Sequence, residues 1–395
     1  MPDSIWSIHA DLLYTGDGVL ENARLDVSGK KIAAVRPPAD GEGAAGVAAS
    51  YPVVTPAFID PHSHIGIHRA GEPAAESESN ERMDSVVALA DALDSVQMDD
   101  PAFADAVAAG VLYACVMPGS GNLIGGRSAV LRAWGADTNA ALVGRAGCKA
   151  ALGQNPISVP DWKGTRPHTR MGSFAILRAR FEAVRRKTER PAADREPLSA
   201  EEAVLAEILA GRERLRVHIH KTDDIAALLR LVDAYGLRIT VEHAEDVHAP
   251  DIFRELARRD VPVVYGPIDS FAYKTELRHE SWRNVAHLLD SGVRFGLMSD
   301  HPVIPCRNLL MQTRWFLRCG MAPADAVALV SRRNAELLGI ADRVGHLAPG
   351  KWASFIGWNG DPFHLGAWPV AVYGEGRPLY GAPLENRKID PEVSQ

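Results

Sequence analysis

Eight short runs rich in aliphatic and β-branched residues recur through the middle of this 395-residue chain, at 57–65, 111–117, 129–133, 148–152, 215–220, 238–243, 261–265 and 294–299. Most of the intervals between them carry helix patterns with readable ends. Ser199-Ala-Glu-Glu202 has the form of a capping box, Thr222 or Asp223 opens a helix that Gly236 stops, and Ser281 opens another that Gly292 stops. Strands alternating with helices demand parallel pairing through crossovers. Eight such units over roughly 290 residues predict an α/β fold of the (β/α)8 TIM-like barrel type. An open, doubly wound sheet is the competitor, but no G-x-G-x-x-G follows the first strand.

Both ends of the chain read differently. Residues 7–13, 23–27 and 31–35 alternate polar and apolar positions between Gly16, Gly18 and Gly29, and the last fifty residues repeat this texture at 352–358, 368–373 and 377–380. The predicted division is therefore a small β-sandwich domain from residues 1–55 plus 345–395, around a catalytic barrel of 56–344. The stretch from His68 to Pro101, with Glu72, Glu76, Glu78 and Glu81, reads as an insertion after the first barrel strand, its charges forming a solvated face.

With 46% apolar and 24% charged residues, the chain has no difficulty burying a core, which excludes wholesale disorder. Forty-three basic against 50 acidic residues give a net charge of −7, so nothing points to nucleic acid or an anionic membrane as partner. A small molecule is the expected partner, and a homo-oligomer is compatible with the composition. Cys115, Cys148, Cys306 and Cys319 show no C-x-x-C spacing, which fits a reducing cytoplasm. Asp3, His9 and Asp11 interrupt the first residues and no 18 apolar residues run together, so a soluble cytoplasmic protein is expected.

Chemistry enters at Phe58-Ile-Asp-Pro-His62-Ser-His64. Alternation along a strand sends His62 and His64 to the same side, and at the C-terminal end of a barrel strand that side is the mouth. The pair alone is a weak sign, equally compatible with hydrogen-bonded core histidines. The other strand ends strengthen it: Val217-His218-Ile-His220, Val241-Glu-His243 and Met298-Ser-Asp300-His301, with Lys149 in the otherwise apolar fourth strand. Imidazoles and carboxylates gathered at one barrel end are costly to desolvate, and a metal ion removes that cost.

At this point the chain resembles a known superfamily. Pro56-Ala-Phe-Ile-Asp-Pro-His-Ser-His, Asn334-Ala-Glu-Leu-Leu-Gly, Gly345-His-Leu and Pro349-Gly-Lys351 look like the metal-dependent amidohydrolases. Met117-Pro-Gly-Ser-Gly-Asn122, Lys149-Ala-Ala-Leu-Gly-Gln-Asn-Pro156, Thr169-Arg-Met-Gly172 and Ser299-Asp-His-Pro302 resemble its imidazolonepropionase-like and prolidase-like branch. The resemblance implies His62, His64, His218, His243 and Asp300 as ligands of zinc or another divalent transition ion, with Asp300 also the catalytic base. It implies one or two ions, two if Lys149 forms a carbamate that bridges them; otherwise Lys149 pairs with an acid or meets substrate.

His218 is taken as the strand-five ligand by its place in the motif, and His220 then joins Arg170, Lys274, Tyr273 and His301 as candidate substrate contacts. Arg170, Lys274 and Arg278 are read as a clamp for a substrate carboxylate, with structural ion pairs such as one to Glu276 as the alternative. Two departures stand out: no acid follows Lys351, and Gln154 takes a place where the family pattern carries Glu. The implied function is hydrolysis of an amide or cyclic amide C–N bond of a small substrate by activated water. A deaminase using the same chemistry is the first rival, and a non-catalytic scaffold the second.

Overall fold

The computed structural model describes residues 5–39, 46–69, 71–73, 77–158, 162–270 and 274–381. The chain opens with strands β1 (Ile5–Tyr14), β2 (Val19–Ser28), β3 (Lys31–Arg36) and β4 (Ala49–Pro56). It continues through β5 (Phe58–Ser63), β6 (Val111–Val116), β7 (Ile124–Arg132), β8 (Leu142–Ala151), β9 (Leu215–Ile219), β10 (Ile239–His243), β11 (Val263–Tyr265) and β12 (Phe295–Leu297). It closes with β13 (Phe355–Trp358), β14 (Pro369–Gly374) and β15 (Arg377–Tyr380).

Strands β5 to β12 form one eight-stranded sheet in chain order. Its two edges meet at the rim, where Asp300 N–H donates to the His62 carbonyl (3.1 Å) and His64 N–H to the His301 carbonyl (3.0 Å). The sheet is thus a nearly closed barrel, and these bonds bring residues 62–64 against 300–301. All eight sequence runs fall on these strands, with one topological difference. β7 runs antiparallel to both β6 and β8. Only residues 117–123 separate β6 from β7, too few for the dozen or so that a parallel crossover needs. The run 129–133 caught only the end of β7, because Gly125-Gly126 interrupts the pattern of its first half.

Helices cover the outside where the chain does cross over. The capping box at Ser199 is present, opening the helix Ala200–Leu209. Helix Thr222–Tyr235 ends at Gly236 in the left-handed conformation, but Lys221 precedes it and no side chain caps it. Ser281 lies before the helix Asn284–Leu289 rather than capping it. Of the insertion's acids, Glu72, Glu78 and Glu81 are exposed, and Glu76 lies outside the described residues. The insertion still packs on the barrel: Val86 bridges Ile124, Asp91 bridges Arg127, and the Asn122 amide donates to the Glu81 and Asp84 carbonyls (both 2.9 Å).

The terminal strands form one seven-stranded sheet, β15-β14-β13-β4-β1-β2-β3, around its own core, which includes Ile8, Leu25, Val54 and Phe355. It curls on itself: Ile32 N–H donates to the Lys351 carbonyl (2.8 Å) and Ala353 N–H to the Lys30 carbonyl (2.9 Å). Gly110, just before β6, packs directly against Ile356 of β13. Its φ is +80°, and a Cβ there would overlap the Ile356 side chain. Gly110→Ala is expected to cost about 1–3 kcal/mol through overpacking and left-handed strain. A lowered urea midpoint relative to the parent checks it; an unchanged midpoint would show that the junction yields freely.

Candidate metal centre and active site

Register decides which side chains enter the barrel. Lys149 on β8 pairs with Arg216 on β9, Arg216 with Thr240 on β10, and His218 with Glu242. Neighbours in register share a face, so one inward stripe carries Lys149, Arg216, His218, Thr240 and Glu242, all buried. His243 follows Glu242 directly and alternation would turn it outward. Its φ of +79° breaks the alternation, and Asp300 at +52° does the same after β12. Left-handed backbone at non-glycine residues is costly, and here both instances deliver a side chain to the mouth.

The side chains meet in two groups, His62, His64 and Asp300, and His218, His220 and His243, the ligand-type atoms of each lying within 4.8 Å of one another. The His218 and His243 ring centres are 4.1 Å apart, those of His62 and His243 5.0 Å. Each orienting bond leaves one nitrogen aimed inward. His64 Nδ1 meets the Met117 carbonyl (2.8 Å) and His243 Nδ1 the Gly266 carbonyl (2.9 Å), while His62 Nδ1 meets the buried Glu242 carboxylate (2.9 Å). Such outer bonds fix the tautomer with Nε2 free as a lone-pair donor.

These residues fit a metal ion on two grounds. Both His218 nitrogens and His243 Nε2 are buried without a hydrogen-bond partner. Unpaired buried donors and acceptors are otherwise expensive. Moreover, His64 Nε2 lies 3.2 Å from Asp300 Oδ1. With Nδ1 held at the Met117 carbonyl, the other nitrogen and the carboxylate oxygen converge as two ligands of one cation would.

Burial, with Lys149 nearby, pushes His62 down to about 4. Burial likewise pulls Lys149 down to about 8. The Lys149 Nζ is 3.0 Å from His62 Nε2 and 3.7 Å from Met117 Sδ, and among the described residues no carboxylate lies within ion-pair distance of it. A buried amine so placed favours the neutral form. Below this layer, burial raises the Glu242 carboxyl, but Arg216 and His62 outweigh it and hold it well below its usual range.

A cavity of about 290 Å³ opens over the cluster, lined in part by His64, His218, His220, His243, Asp300 and Lys274. Both His218 and His220 therefore face it. They differ at one nitrogen: neither nitrogen of His218 has a hydrogen-bond partner, whereas His220 Nε2 lies 3.2 Å from Lys274 Nζ, and its Nδ1 is 3.0 Å from Glu245 without a hydrogen bond. The clamp is divided. Lys274 reaches the cavity, bonded also to Asn155 Oδ1 (2.9 Å). Arg170 does not line it; its Nε lies against both Asp224 oxygens (2.7 and 3.0 Å), with Glu276 at 3.8 Å. That pairing is an ion pair of the kind set beside the clamp as its alternative.

Arg278 is exposed. His301 lies off the cavity wall, which its neighbours Asp300 and Pro302 line, and its Nδ1 accepts the Cys306 N–H (3.3 Å). Tyr273 lies outside the described residues.

Sequence reasoning missed Glu242, Arg216, Glu245 and Asn155, and Asn80 of the insertion, which lines the cavity although its charged neighbours face solvent. Alternation in Arg216-Val-His218 and Thr240-Val-Glu242 was the signal available for the first two.

The whole of the barrel and part of the terminal sheet, residues 53–380, match the amidohydrolase family. The amidohydrolase tasK of Hapsidospora irregularis is 25% identical over 359 residues, 84% of this chain and 37% of that protein, so the chain spans little over a third of that relative. An amidohydrolase from Thermotoga maritima MSB8 superposes with a TM-score of 0.86 and 30% identity, over 95% of this chain and 99% of the other. A prolidase complexed with N-methylphosphonate-L-proline shares the fold at a TM-score of 0.59 and 16% identity, covering 95% of this chain and all of the other. With its motifs and its whole barrel falling inside that match, the chain belongs to the amidohydrolase family, hydrolases that act on carbon–nitrogen bonds.

Proposed function

We propose that this protein hydrolyses an amide or cyclic amide C–N bond of a small, carboxylate-bearing molecule, using a divalent transition ion, zinc by preference, held by His62, His64, His218, His243 and Asp300. The observation that carries the reading is the set of buried, unpartnered imidazole nitrogens beside Asp300 at one end of the barrel. The architecture is read as a (β/α)8-type barrel of residues 56–344, with β7 in place of one crossover, joined to a terminal-sheet domain of 1–55 plus 345–395. No helix among the described residues is long and apolar enough to cross a membrane, and the four cysteines are unpaired, which supports a reducing cytoplasm.

A divalent ion in this site supplies an acidified water and polarises the scissile carbonyl. The chain's own residues do the rest. Asp300, on the cavity wall, takes the proton of the attacking water and returns it to the leaving nitrogen. Met117 and Gly266 carbonyls fix the His64 and His243 rings so that neither rotates as charge develops. Lys274, steadied by Asn155 and His220, binds the substrate carboxylate. Lys149, a buried amine that holds its proton less tightly than usual and has no acid within ion-pair distance among the described residues, would add carbon dioxide with loss of a proton, and the carbamate would help to hold a second ion.

Purified protein is expected to carry at least one equivalent of divalent transition metal, approaching two if Lys149 is carbamylated. Elemental analysis checks this, with His243→Ala expected to lose metal and Lys149→Ala to fall by about one equivalent. Protein that neither contains nor takes up metal would sink the proposal. The activity itself is tested by a screen of N-acyl amino acids, dipeptides, cyclic ureides and imides with the zinc-loaded protein. Aminopurines and aminopyrimidines belong in the same screen; release of ammonia from these alone would favour the deaminase.

A further inference from the structure

Next to the metal cavity lies a larger one of about 630 Å³, and the two share Asn155 and Lys274. Every described side chain lining the larger one is polar, and its wall presents three cations, Arg170, Lys221 and Lys274, against one carboxylate, Glu276. Each cation is paired with a buried acid, Asp224 and Asp246 off the wall and Glu276 on it. Arg170 Nε is 2.7 Å from Asp224, Lys221 Nζ 3.2 Å from Asp246, and Lys274 Nζ 3.3 Å from Glu276.

The acids are 7, 2 and 1% exposed at their side chains, the cations 40, 31 and 13%. Negative charge therefore sits inside and positive charge faces the opening. Glu276, the one acid on the wall, is itself covered by the Gln154 N–H (2.7 Å). An apolar group gains nothing from such a wall, whereas an anion meets preorganised donors whose orientation is already fixed.

We propose that this outer cavity is the subsite for a distal carboxylate of the substrate, beyond the one met by Lys274, with Lys221 and Arg170 as specificity-determining residues. The inference rests on the hydrolase reading above and narrows its substrate class: the cleaved amide is joined to an acidic amino acid. The shared wall at Asn155 and Lys274 lets one extended molecule occupy both cavities. The arrangement also explains why Arg170 lies away from the metal: its guanidinium serves the far end of the substrate.

The test compares N-acetyl-L-glutamate with N-acetyl-L-glutamine, and Ala-Glu with Ala-Gln, on the metal-loaded enzyme. A charge-assisted contact corresponds to roughly 10-fold, so the acidic member of at least one pair is expected to have about 10-fold higher kcat/KM. Lys221→Met should bring that ratio towards one by raising KM for the acid, and Lys221→Arg should keep most of it. A ratio near one in the parent enzyme, or one that survives both Lys221→Met and Arg170→Gln, overturns the subsite.

Calorimetric binding of the N-acetyl pair separates this from the catalytic reading. Tighter binding of the acid, lost in Lys221→Met, upholds the subsite even if neither compound is cleaved, and that failure then counts against amide hydrolysis. Equal binding of the two compounds removes the subsite whatever is hydrolysed.

Discussion

Asp300→Asn is expected to lower kcat by about 10²- to 10⁴-fold, the usual contribution of a positioned general base, while the protein stays folded and keeps much of its metal. The geometry separates the two roles. Asp300 Oδ1 lies 3.2 Å from His64 Nε2 and 3.4 Å from His62 Nε2, so the carboxylate shares its position with two imidazoles that remain when it is replaced. Asparagine keeps the shape and one oxygen acceptor and removes only the basicity. Its backbone also tolerates the left-handed φ of +52° better than most residues do, which favours asparagine over alanine as the probe.

The measurements are kcat at saturating metal, metal content and a urea titration on one preparation. His243→Ala should behave differently, because it removes a lone pair that has no substitute: metal and activity should fall together, with partial recovery in excess zinc. Full kcat in Asp300→Asn at saturating metal would take the base assignment away from Asp300. Glu245, buried against His220 and on the cavity wall, would be the next group to test.

Much of this site is legible in the chain because strand ends have a simple grammar. His62 and His64 share a face by alternation, and the barrel count brings their strand beside the one that leads to Asp300. The motif resemblance names His243 and Asp300 as well, but the way they reach the mouth, like the features the reading missed, is something that alternation does not govern. His243 and Asp300 enter the mouth through positive φ, a backbone property that no residue-type pattern at Glu-His or Ser-Asp announces. The antiparallel β7 escaped because Gly125-Gly126 masks its first half, and because the short 117–123 link looks like an ordinary strand-end loop. The positions of Arg170 and His301 depend on partners that no motif names: Asp224, 54 residues from Arg170, and the Cys306 amide, which holds His301. A motif ranks such residues as candidates, and only the packing says which way they point.

Arg216 gives the second large effect, on stability instead of rate. It is almost fully buried inside the barrel; its Nη2 donates to the Pro61 carbonyl (2.6 Å), and its Nε lies 3.2 Å from Glu242. Glu242 in turn accepts from Thr240 Oγ1 (2.6 Å) and holds His62 Nδ1. Arg216→Met fills similar space but leaves the Glu242 carboxylate buried with an imidazole and a hydroxyl as its remaining partners. Removing one member of a buried pair costs about 3–5 kcal/mol, so the urea midpoint should fall sharply. Metal affinity should weaken with it, because the carboxylate that orients His62 then has reason to take up a proton. The double variant Arg216→Met/Glu242→Gln discriminates pairing from packing. With both charges gone, the uncompensated carboxylate disappears, and much of the lost stability should return while His62 stays poorly oriented and metal stays weak. A double variant no more stable than Arg216→Met would show that shape, and not charge pairing, makes Arg216 indispensable beneath the metal site.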